Sequence, residues 1–208
     1  MIRVQTTGDC CQVTLARPDK ANALTEAMLQ ALASAATDAA ANGAKVLILT
    51  GEGKVFSAGA DLDGMKQGLG LSPAWEDASA AVAAFPGLSI AALNGTLAGG
   101  AMGVALACDL RIAVPSANFF YPVMRLGYRP QPSDPGRLAA LVGPSRARMI
   151  LLAGQRIDAE TALAWGLIDR ICDASVLTDT AMSLAEAALS ADPAHVAALK
   201  RMTKGEAP

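Results

Sequence analysis

Histidine and cysteine are scarce in this sequence of 208 residues, which contains one histidine and four cysteines. Cys10 and Cys11 are adjacent, an arrangement that seldom forms a disulfide, and Cys108 and Cys172 belong to no CxxC or Cys/His cluster. This pattern argues against a zinc or other metal site and favours a reduced, cytoplasmic protein. The lone His195 lies in a polar DPAH segment, where it is predicted to be a surface residue rather than a catalytic base.

Long runs of basic or apolar residues are absent as well. The formal net charge is −2 without a cluster of lysine and arginine, which argues against a nucleic-acid-binding surface. Asp61, Asp109 and Arg111 interrupt the apolar stretches, so no membrane-spanning segment is predicted. The N-terminus, MIRVQTTGDCCQVTLARP, alternates as a strand does rather than resembling a signal peptide. With 52% hydrophobic residues, the chain suits one globular domain with a sizeable core.

Hydrophobic periodicity predicts buried strands that alternate with helices, which is typical of an α/β fold. The strands are short and a strand–strand–helix pattern recurs, so we expect a repeating spiral rather than one open sheet. Predicted strands lie within residues 1–16, 44–53, 55–62, 88–95, 109–122 and 158–172. Predicted helices lie within residues 24–43, 74–85, 94–109, 137–154, 158–172 and 177–205, and residues 131–136 are predicted to form a loop.

The predicted helix over residues 94–109, NGTLAGGAMGVALACD, contains four glycines. Because each glycine costs a helix about 1 kcal/mol relative to alanine, they indicate either close backbone packing or backbone N–H groups that hold negative charge. A dinucleotide-binding GxGxxG motif is broken by Ala98, and a GxSxG motif is absent. A second glycine-bearing turn, FSAGADL at residues 56–62, also follows a predicted buried strand. Two such turns predict two backbone donors that converge on one oxygen, as in an oxyanion hole.

Several segments, in this order and spacing, resemble the crotonase, or enoyl-CoA hydratase/isomerase, superfamily. They are ARPDKANALT, KVLILTGEGKVFSAGADL, ALNGTLAGGAMGVALACDLRIA, RLAALVG and LLAGQRIDAETALAWGLID, which together span nearly the whole chain. The resemblance implies an α/β, crotonase-like spiral of ββα repeats over residues 1–175, followed by a shortened C-terminal helical segment over residues 176–208. It also implies a coenzyme A thioester as substrate and no permanently bound cofactor.

Carried over position by position, the resemblance assigns the backbone N–H groups of Ala60 and Gly100 to the oxyanion hole, where they grip the thioester oxygen as it gains enolate charge. It places Asp109 in a structural role beneath the site. The residues that it assigns to the coenzyme A cleft are Lys20, Ala23, Leu24, Ala58, Asp61 and Leu62. Lys20 suits a coenzyme A phosphate, and it is equally consistent with a solvated surface charge.

Hydratases of this superfamily use two glutamates, and the alignment places Gly103 and Val123 at those two positions. Neither residue transfers a proton, whereas adding water across a double bond needs a positioned acid–base group. The sequence therefore disfavours classical hydration. Isomerases usually keep the second glutamate, so they lose support too.

The segment YRPQPSDPG, residues 128–136, replaces a glycine-rich turn of the relatives and brings new polar groups. Asp134 is its only carboxylate and is our candidate proton carrier, although an aspartate before proline is also typical of a turn. Tyr128 is our second catalytic candidate, which would orient the acyl chain or donate a hydrogen bond. Gln131 falls where dienoyl-CoA isomerases have an aspartate. Arg125 and Arg129 suit either an acyl carboxylate or solvent.

Relatives commonly continue into helices that cover the acyl pocket and build a trimer, often stacked as a hexamer. In this chain VAALKRMTKGEAP ends where those helices begin, so we expect a homotrimer or hexamer with a smaller contact and a more open cleft.

Two functions remain open. One is an acyl-CoA enzyme that stabilises a thioester enolate during isomerisation, decarboxylation or hydrolysis, and the other is a non-catalytic acyl-CoA binder or degenerate family member.

Overall fold

A computed structural model describes residues 1–205 and 207 of the chain, in which short strands alternate with helices. The strands are β1 (Ile2–Thr7), β2 (Cys10–Leu15), β3 (Val46–Gly51), β4 (Val55–Ser57), β5 (Leu88–Leu93), β6 (Thr96–Ala98), β7 (Leu110–Ala113), β8 (Asn118–Phe120), β9 (Ile157–Asp158) and β10 (Arg170–Ile171). The helices are α1 (Glu26–Ala41), α2 (Leu62–Lys66), α3 (Ala74–Ala84), α4 (Ala101–Ala107), α5 (Val123–Leu126), α6 (Asp134–Val142), α7 (Pro144–Leu151), α8 (Ala159–Trp165), α9 (Leu177–Ser190) and α10 (Pro193–Thr203). Short 3-10 turns cover Pro18–Lys20, Leu69–Leu71 and Ala174–Val176.

The strands form two sheets, and the chain crosses between them repeatedly. The larger sheet has the order β1-β2-β3-β5-β7-β10 and is parallel apart from the β1–β2 pair. The smaller sheet has the order β4-β6-β8-β9 and is parallel apart from the β8–β9 pair. Each of the pairs β3–β4, β5–β6 and β7–β8 contributes one strand to each sheet and then leads into a helix. The predicted α/β spiral of strand–strand–helix repeats is therefore confirmed.

Helix α1 shows how local sequence sets one of these elements. Thr25 precedes the helix, and its hydroxyl oxygen accepts a hydrogen bond from the N–H of Met28 at 3.3 Å, which caps the helix start. Apolar residues then recur at helical spacing and form a buried stripe that packs against α3. The stripe consists of Met28, Leu29, Leu32, Ala35, Ala36 and Ala39. The helix predicted over residues 24–43 is thus confirmed with shorter ends.

The helix predicted over residues 94–109 is wrong in its first half. Thr96–Ala98 form strand β6, which pairs in parallel with β4 on one side and β8 on the other. Gly99 then turns the chain with a φ of +57°, and α4 starts only at Ala101. Pairing with two neighbouring strands satisfies the backbone of residues 96–98, and the periodicity of one segment carries no information about such partners.

A second difference lies between residues 131 and 154, where a loop followed by one long helix is predicted. Helix α6 already begins at Asp134, so Asp134 is its first residue and not part of a loop. Pro135 fits there because the first turn of a helix needs no N–H partners. Gly143, with a φ of +81°, and Pro144 then divide the segment into α6 and α7.

Lys200 on α10 ties the C-terminal helices to the core. Its ammonium group donates hydrogen bonds to the carbonyl oxygens of Phe85 at 2.8 Å and Gly87 at 2.9 Å and to the Asp109 carboxylate at 2.7 Å. Asp109 also accepts hydrogen bonds from the N–H and the hydroxyl of Ser89, in line with its predicted structural role. The segment predicted over residues 176–208 contains α9 and α10, and its residues 206 and 208 lie outside the described residues.

Nowhere in the described chain does a helix have the length and apolar character needed to cross a membrane.

Candidate active site

The two glycine-bearing turns lie against each other at the ends of neighbouring strands. Gly59 follows β4 with a φ of +96°, and Gly99 follows β6 with a φ of +57°. A Cβ atom on Gly59 would lie 3.0 Å from the Ala98 carbonyl oxygen and 3.3 Å from the Gly99 Cα. Both the backbone conformation and the close approach therefore require glycine at position 59.

The turns present two backbone N–H groups without an acceptor. Within residues 1–205 and 207, the amides of Ala60 and Gly100 donate to no protein atom, whereas those of the adjacent Asp61 and Gly99 are satisfied. The Asp61 N–H donates to Leu24 O at 2.9 Å, and the Gly99 N–H donates to Phe120 O at 3.0 Å. Unpaired backbone donors are uncommon away from water. Two of them at adjoining turns form a ready site for an oxygen that carries negative charge.

Ala60 and Gly100 line a cleft of about 350 Å³. Of the residues predicted for the site, Ala58, Leu62 and Tyr128 line this cleft as well. The ring of Tyr128 stands over Gly70, where a Cβ atom would lie 2.6 Å from the ring. Further lining residues are Met65, Gly70, Trp75, Gly99, Tyr121, Pro122, Val123, Leu126, Arg129 and Gln131. The wall is largely apolar, as suits an acyl chain, and Val123 contributes to it where the resemblance expects a glutamate.

The other residues predicted for coenzyme A lie beside the first turn. Lys20 is exposed in a 3-10 turn, and Ala23 is half-buried. The Leu24 side chain is 1% exposed and belongs to the core, so Leu24 reaches the site through its main chain, whose N–H donates to Gly59 O. Asp61 caps α2 and forms an ion pair with Arg17 at 2.6 Å. Hydrogen bonds from the Gly64 N–H and from Arg17 hold the pKa of Asp61 below its usual value.

Asp134 lies beside Gly103, although the two are far apart in the sequence. A Cβ atom on Gly103 would overlap the Asp134 carboxylate, with Oδ2 at 2.8 Å and Cγ at 2.9 Å. The carboxylate therefore fills the space next to α4 that a side chain at position 103 would occupy. Asp134 is 1% exposed, and within the described part of the chain its Oδ1 has no hydrogen-bond partner.

Burial sets the protonation behaviour of Asp134. Desolvation raises the pKa of its carboxyl group to about 6, against the opposing effects of the Tyr121 hydrogen bond and the positive charge of Arg137. The negative charge of Glu76 adds to the increase. Both protonation states are therefore accessible near neutral pH, as a proton-transfer group requires.

Tyr121 was not among the residues singled out from the sequence. It follows β8, is 4% exposed, and is one of the residues that line the cleft. Its hydroxyl donates a hydrogen bond to Asp134 Oδ2 at 2.8 Å. Burial and the Asp134 carboxylate raise the pKa of the phenol above its usual range, so the hydroxyl stays protonated. Its only sequence signal is the aromatic run FFYP, which reads equally well as core packing.

Helix α3 supports both parts of the site. The indole ring of Trp75 packs on Gly100, where a Cβ atom would lie 2.9 Å from the ring, and its Nε1 donates to Leu69 O at 2.9 Å. Glu76 accepts hydrogen bonds from the hydroxyl and the N–H of Ser133, the residue before Asp134. Helix α3 thus contacts both the Gly100 turn and the start of α6 and fixes their relative positions.

The remaining candidates divide between residues that line the cleft and residues that do not. All four cysteines are free, and burial raises the pKa of the Cys108 thiol to about 12, so Cys108 is no ready nucleophile. His195 and Arg125 are exposed and do not line the cleft, whereas Arg129 and Gln131 do. In the described part of the chain, no group of three His, Cys, Asp or Glu residues is placed to hold a metal ion.

Comparison with known proteins connects this geometry to one family. A family model described as Enoyl-CoA hydratase/isomerase matches residues 5–207. A Mycobacterium tuberculosis protein named "Probable enoyl-CoA hydratase echA6" is 35% identical over 159 residues, which are 76% of this chain and 65% of that protein. The carnitinyl-CoA dehydratase of Salmonella arizonae is 35% identical over 217 residues, or 98% of this chain and 80% of that protein.

Solved structures share the fold at comparable identity. The crystal structure of an enoyl-CoA hydratase from Bacillus anthracis superposes with a TM-score of 0.91 at 31% identity and covers 98% of this chain and 82% of its own. A structure from Geobacillus kaustophilus, described as an enoyl-CoA hydratase subunit, gives a TM-score of 0.89 at 31% identity. The chain spans about 65% of the length of the mycobacterial relative.

Proposed function

Since the chain belongs to the enoyl-CoA hydratase/isomerase family, we propose that it binds an acyl-CoA thioester and stabilises the enolate of that thioester in an oxyanion hole. The observation that carries the proposal is the pair of amides, Ala60 N–H and Gly100 N–H, that lack acceptors in the described chain and line one cleft. Donors held in place in this way stabilise charge that develops on a carbonyl oxygen. The thioester oxygen is the group that gains such charge when the α-carbon loses a proton or a carboxylate.

Asp134 is the proposed proton-transfer group, because it is the carboxyl group next to Gly103 and its pKa is raised to about 6. Tyr128, which lines the cleft, orients the acyl chain or donates a hydrogen bond to it. Coenzyme A itself contacts the two segments that flank the first turn, through Lys20, Ala23, Leu24, Ala58, Asp61 and Leu62. The thioester is the substrate, and the proposal includes no permanently bound cofactor.

The reaction class follows from what positions 103 and 123 lack. Gly103 and Val123 offer no carboxyl group to activate and deliver water, which disfavours classical hydration. Isomerisation, decarboxylation and hydrolysis share the enolate or a related oxyanion and need fewer proton-transfer groups. We therefore propose a lyase or isomerase of acyl-CoA metabolism, in the cytoplasm, assembled as a homotrimer or hexamer in which residues 176–208 contribute to the contact around a core of residues 1–175.

A second candidate function is a non-catalytic acyl-CoA binder. The same two substitutions favour it, because a binder keeps the oxyanion donors and needs no proton transfer. The two functions differ in one measurable step, namely the exchange of α-protons with solvent.

We expect the protein to bind acetyl-CoA and to exchange the methyl protons of its acetyl group in D2O. Calorimetry measures the binding, and proton NMR measures the loss of the methyl signal relative to a protein-free sample. Binding with exchange supports the enolate-stabilising enzyme, whereas binding without exchange and without release of free coenzyme A identifies the non-catalytic binder. No detectable binding at millimolar acetyl-CoA would overturn the proposed ligand class.

We also expect crotonyl-CoA hydration to be slower by orders of magnitude than in a family member that keeps both glutamates. Each missing acid–base group typically costs about 10²–10⁴-fold in rate. The assay follows the ultraviolet absorbance of the conjugated thioester, with the two-glutamate enzyme at equal concentration as the positive control. Rapid loss of absorbance with this protein would contradict the prediction and would reveal a base elsewhere in the cleft.

A further inference from the structure

We infer that Tyr121 is a catalytic residue whose hydroxyl passes protons between the acyl α-carbon in the cleft and the enclosed carboxylate of Asp134. The inference rests on the proposed function and extends it, because it identifies the group that meets the substrate. Neither the sequence motifs nor the oxyanion turns point to Tyr121.

Asp134 is enclosed, so a ligand in the cleft needs an intermediary to reach it. The carboxylate is 1% exposed and does not line the cleft. Its hydrogen-bonded oxygen, Oδ2, accepts from the Tyr121 hydroxyl at 2.8 Å. Tyr121 lines the same cleft as Gly99 and Gly100. The hydroxyl therefore connects the carboxylate to the cleft.

Gly103 explains why the carboxylate fits there. A Cβ atom at this position would lie 2.8 Å from Asp134 Oδ2. Cβ atoms in proteins essentially never lie that close to a heavy atom of a residue elsewhere in the chain. The missing side chain on α4 leaves the space, and Asp134 enters it from the first residue of α6. The hydrogen bonds from Ser133 to Glu76 fix that end of α6, so the carboxylate is held against Gly103 and Tyr121.

The proton step balances without any further reactant. In the base direction the α C–H bond breaks and its proton moves to Tyr121 Oη, while the Oη–H proton moves to Asp134 Oδ2. The electron pair of the C–H bond becomes the enolate, whose oxygen accepts hydrogen bonds from Ala60 N–H and Gly100 N–H. In the acid direction the same bonds form and break in reverse, and Asp134 returns to the carboxylate. Tyrosine stays a neutral phenol before and after each transfer.

The charged and titratable groups that face Asp134 suit this role. Tyr121 faces it from the segment after β8, Arg137 from its own helix α6, and Glu76 from α3. Helix α4 presents Gly103 and no charge on this side. The Tyr121 hydrogen bond lowers the pKa of Asp134 against the effect of burial, so removing the hydroxyl raises it further.

The decisive variant is Tyr121→Phe, which removes one oxygen and keeps the ring. We expect acetyl-CoA affinity to be unchanged by calorimetry and α-proton exchange in D2O to fall by about 10²-fold or more, as for loss of an acid–base group. In the wild-type protein the exchange rate should rise with pH through about 6, where Asp134 becomes a carboxylate. In Tyr121→Phe the residual exchange should rise at a higher pH, because the lost hydrogen bond raises the pKa of Asp134. The loss of exchange should persist above that rise, where Asp134 is a carboxylate in both proteins, and a hydrogen bond that only tunes Asp134 does not produce this.

Gly103→Ala tests whether the position of the Asp134 carboxylate matters for exchange, and Gly136→Ala is the matched control. The new methyl group at position 103 overlaps the carboxylate and should displace it, which lowers exchange, whereas a Cβ at Gly136 meets nothing within 4 Å and should leave exchange unchanged. If Tyr121→Phe exchanges α-protons as fast as the wild-type protein, and its exchange rate still rises with pH, the proton relay through Tyr121 is wrong and the proposed function stands. Absence of exchange in the wild-type protein would instead overturn the proposed function and the relay with it. If Gly103→Ala fails to fold, the Tyr121→Phe result decides.

Discussion

Asp134→Asn is expected to lower the rate of acyl-CoA α-proton exchange by about 10²–10⁴-fold, the usual loss for a group that transfers protons. Asparagine has the same shape, and its side-chain oxygen still accepts the hydrogen bond that Tyr121 donates, so the packing beside Gly103 is preserved. The amide does not take up a proton in this pH range. The rise of the exchange rate through about pH 6 should therefore disappear along with most of the activity. The measurement is the exchange rate in D2O across that range.

The same substitution should not destabilise the protein at neutral pH. The pKa of Asp134 is raised to about 6 by folding, from an unfolded-chain value near 4. The folded state therefore binds the proton more tightly, and the free energy of unfolding falls as the pH rises from about 4 through about 6. Asparagine stays neutral and removes this cost, so we expect an equal or higher melting temperature at pH 7 than in the wild-type protein.

Asp158→Asn provides the matched control for Asp134→Asn. Asp158 is exposed and caps α8 by accepting a hydrogen bond from the Thr161 N–H at 2.8 Å. Asparagine caps helices equally well, so this variant removes one carboxylate that does not line the cleft and should keep full exchange. Full exchange in Asp134→Asn would show that Asp134 only starts helix α6. The proton carrier would then be sought at Tyr128 or a bound water.

Gly100→Pro is expected to lower exchange by about 10²–10³-fold, because it deletes one of the two oxyanion donors. The backbone of Gly100 has a φ of −60° and a ψ of −20°, which proline adopts without strain at this position. The amide that proline removes has no protein acceptor among residues 1–205 and 207, so the fold loses no hydrogen bond. Gly100→Pro should therefore lower the rate of α-proton exchange without removing a hydrogen bond from the fold.

Gly100→Ala separates the lost donor from the added bulk. A Cβ atom at position 100 lies 2.9 Å from the Trp75 ring, so both variants push on the indole, but alanine keeps the N–H group. We expect Gly100→Ala to show only the smaller loss that comes from a displaced Trp75, with the donor effect appearing as the difference between the two. Equal exchange rates in the two variants would contradict a catalytic role for this amide.

Local sequence predicts those parts of the fold whose determinants are local. Helix α1 is predicted well because its cap and its buried stripe lie within one segment. Residues 96–98 are misassigned because their conformation depends on β4 and β8, which lie elsewhere in the chain. The break between α6 and α7 is carried by Gly143 and Pro144, a local signal that the apolar run on both sides obscured.

The residues of the candidate site also differ in whether local sequence predicts them. Ala60 and Gly100 are proposed as oxyanion donors from the family resemblance, because the motif that carries each of them is a contiguous segment. The contacts of Asp134 with Gly103 and Tyr121 depend on how α4, α6 and the end of β8 pack, and no spacing in the sequence encodes them. Asp134 is named from the sequence as the only carboxylate of its segment, whereas its burial, its partner and its altered pKa require the three-dimensional arrangement.

The contact between Gly59 and Gly99 makes the proposed oxyanion site a property of the main chain. No side chain intervenes between the two turns, so the spacing of the two amides is set by backbone contact. The proposed proton chemistry, in contrast, depends on two side chains, Tyr121 after β8 and Asp134 on α6. Under the proposed function, a change at position 103, 123 or 134 would therefore alter which bonds are made or broken while the two backbone amides stay in place. A scaffold of this kind can exchange one reaction for another without first losing its substrate.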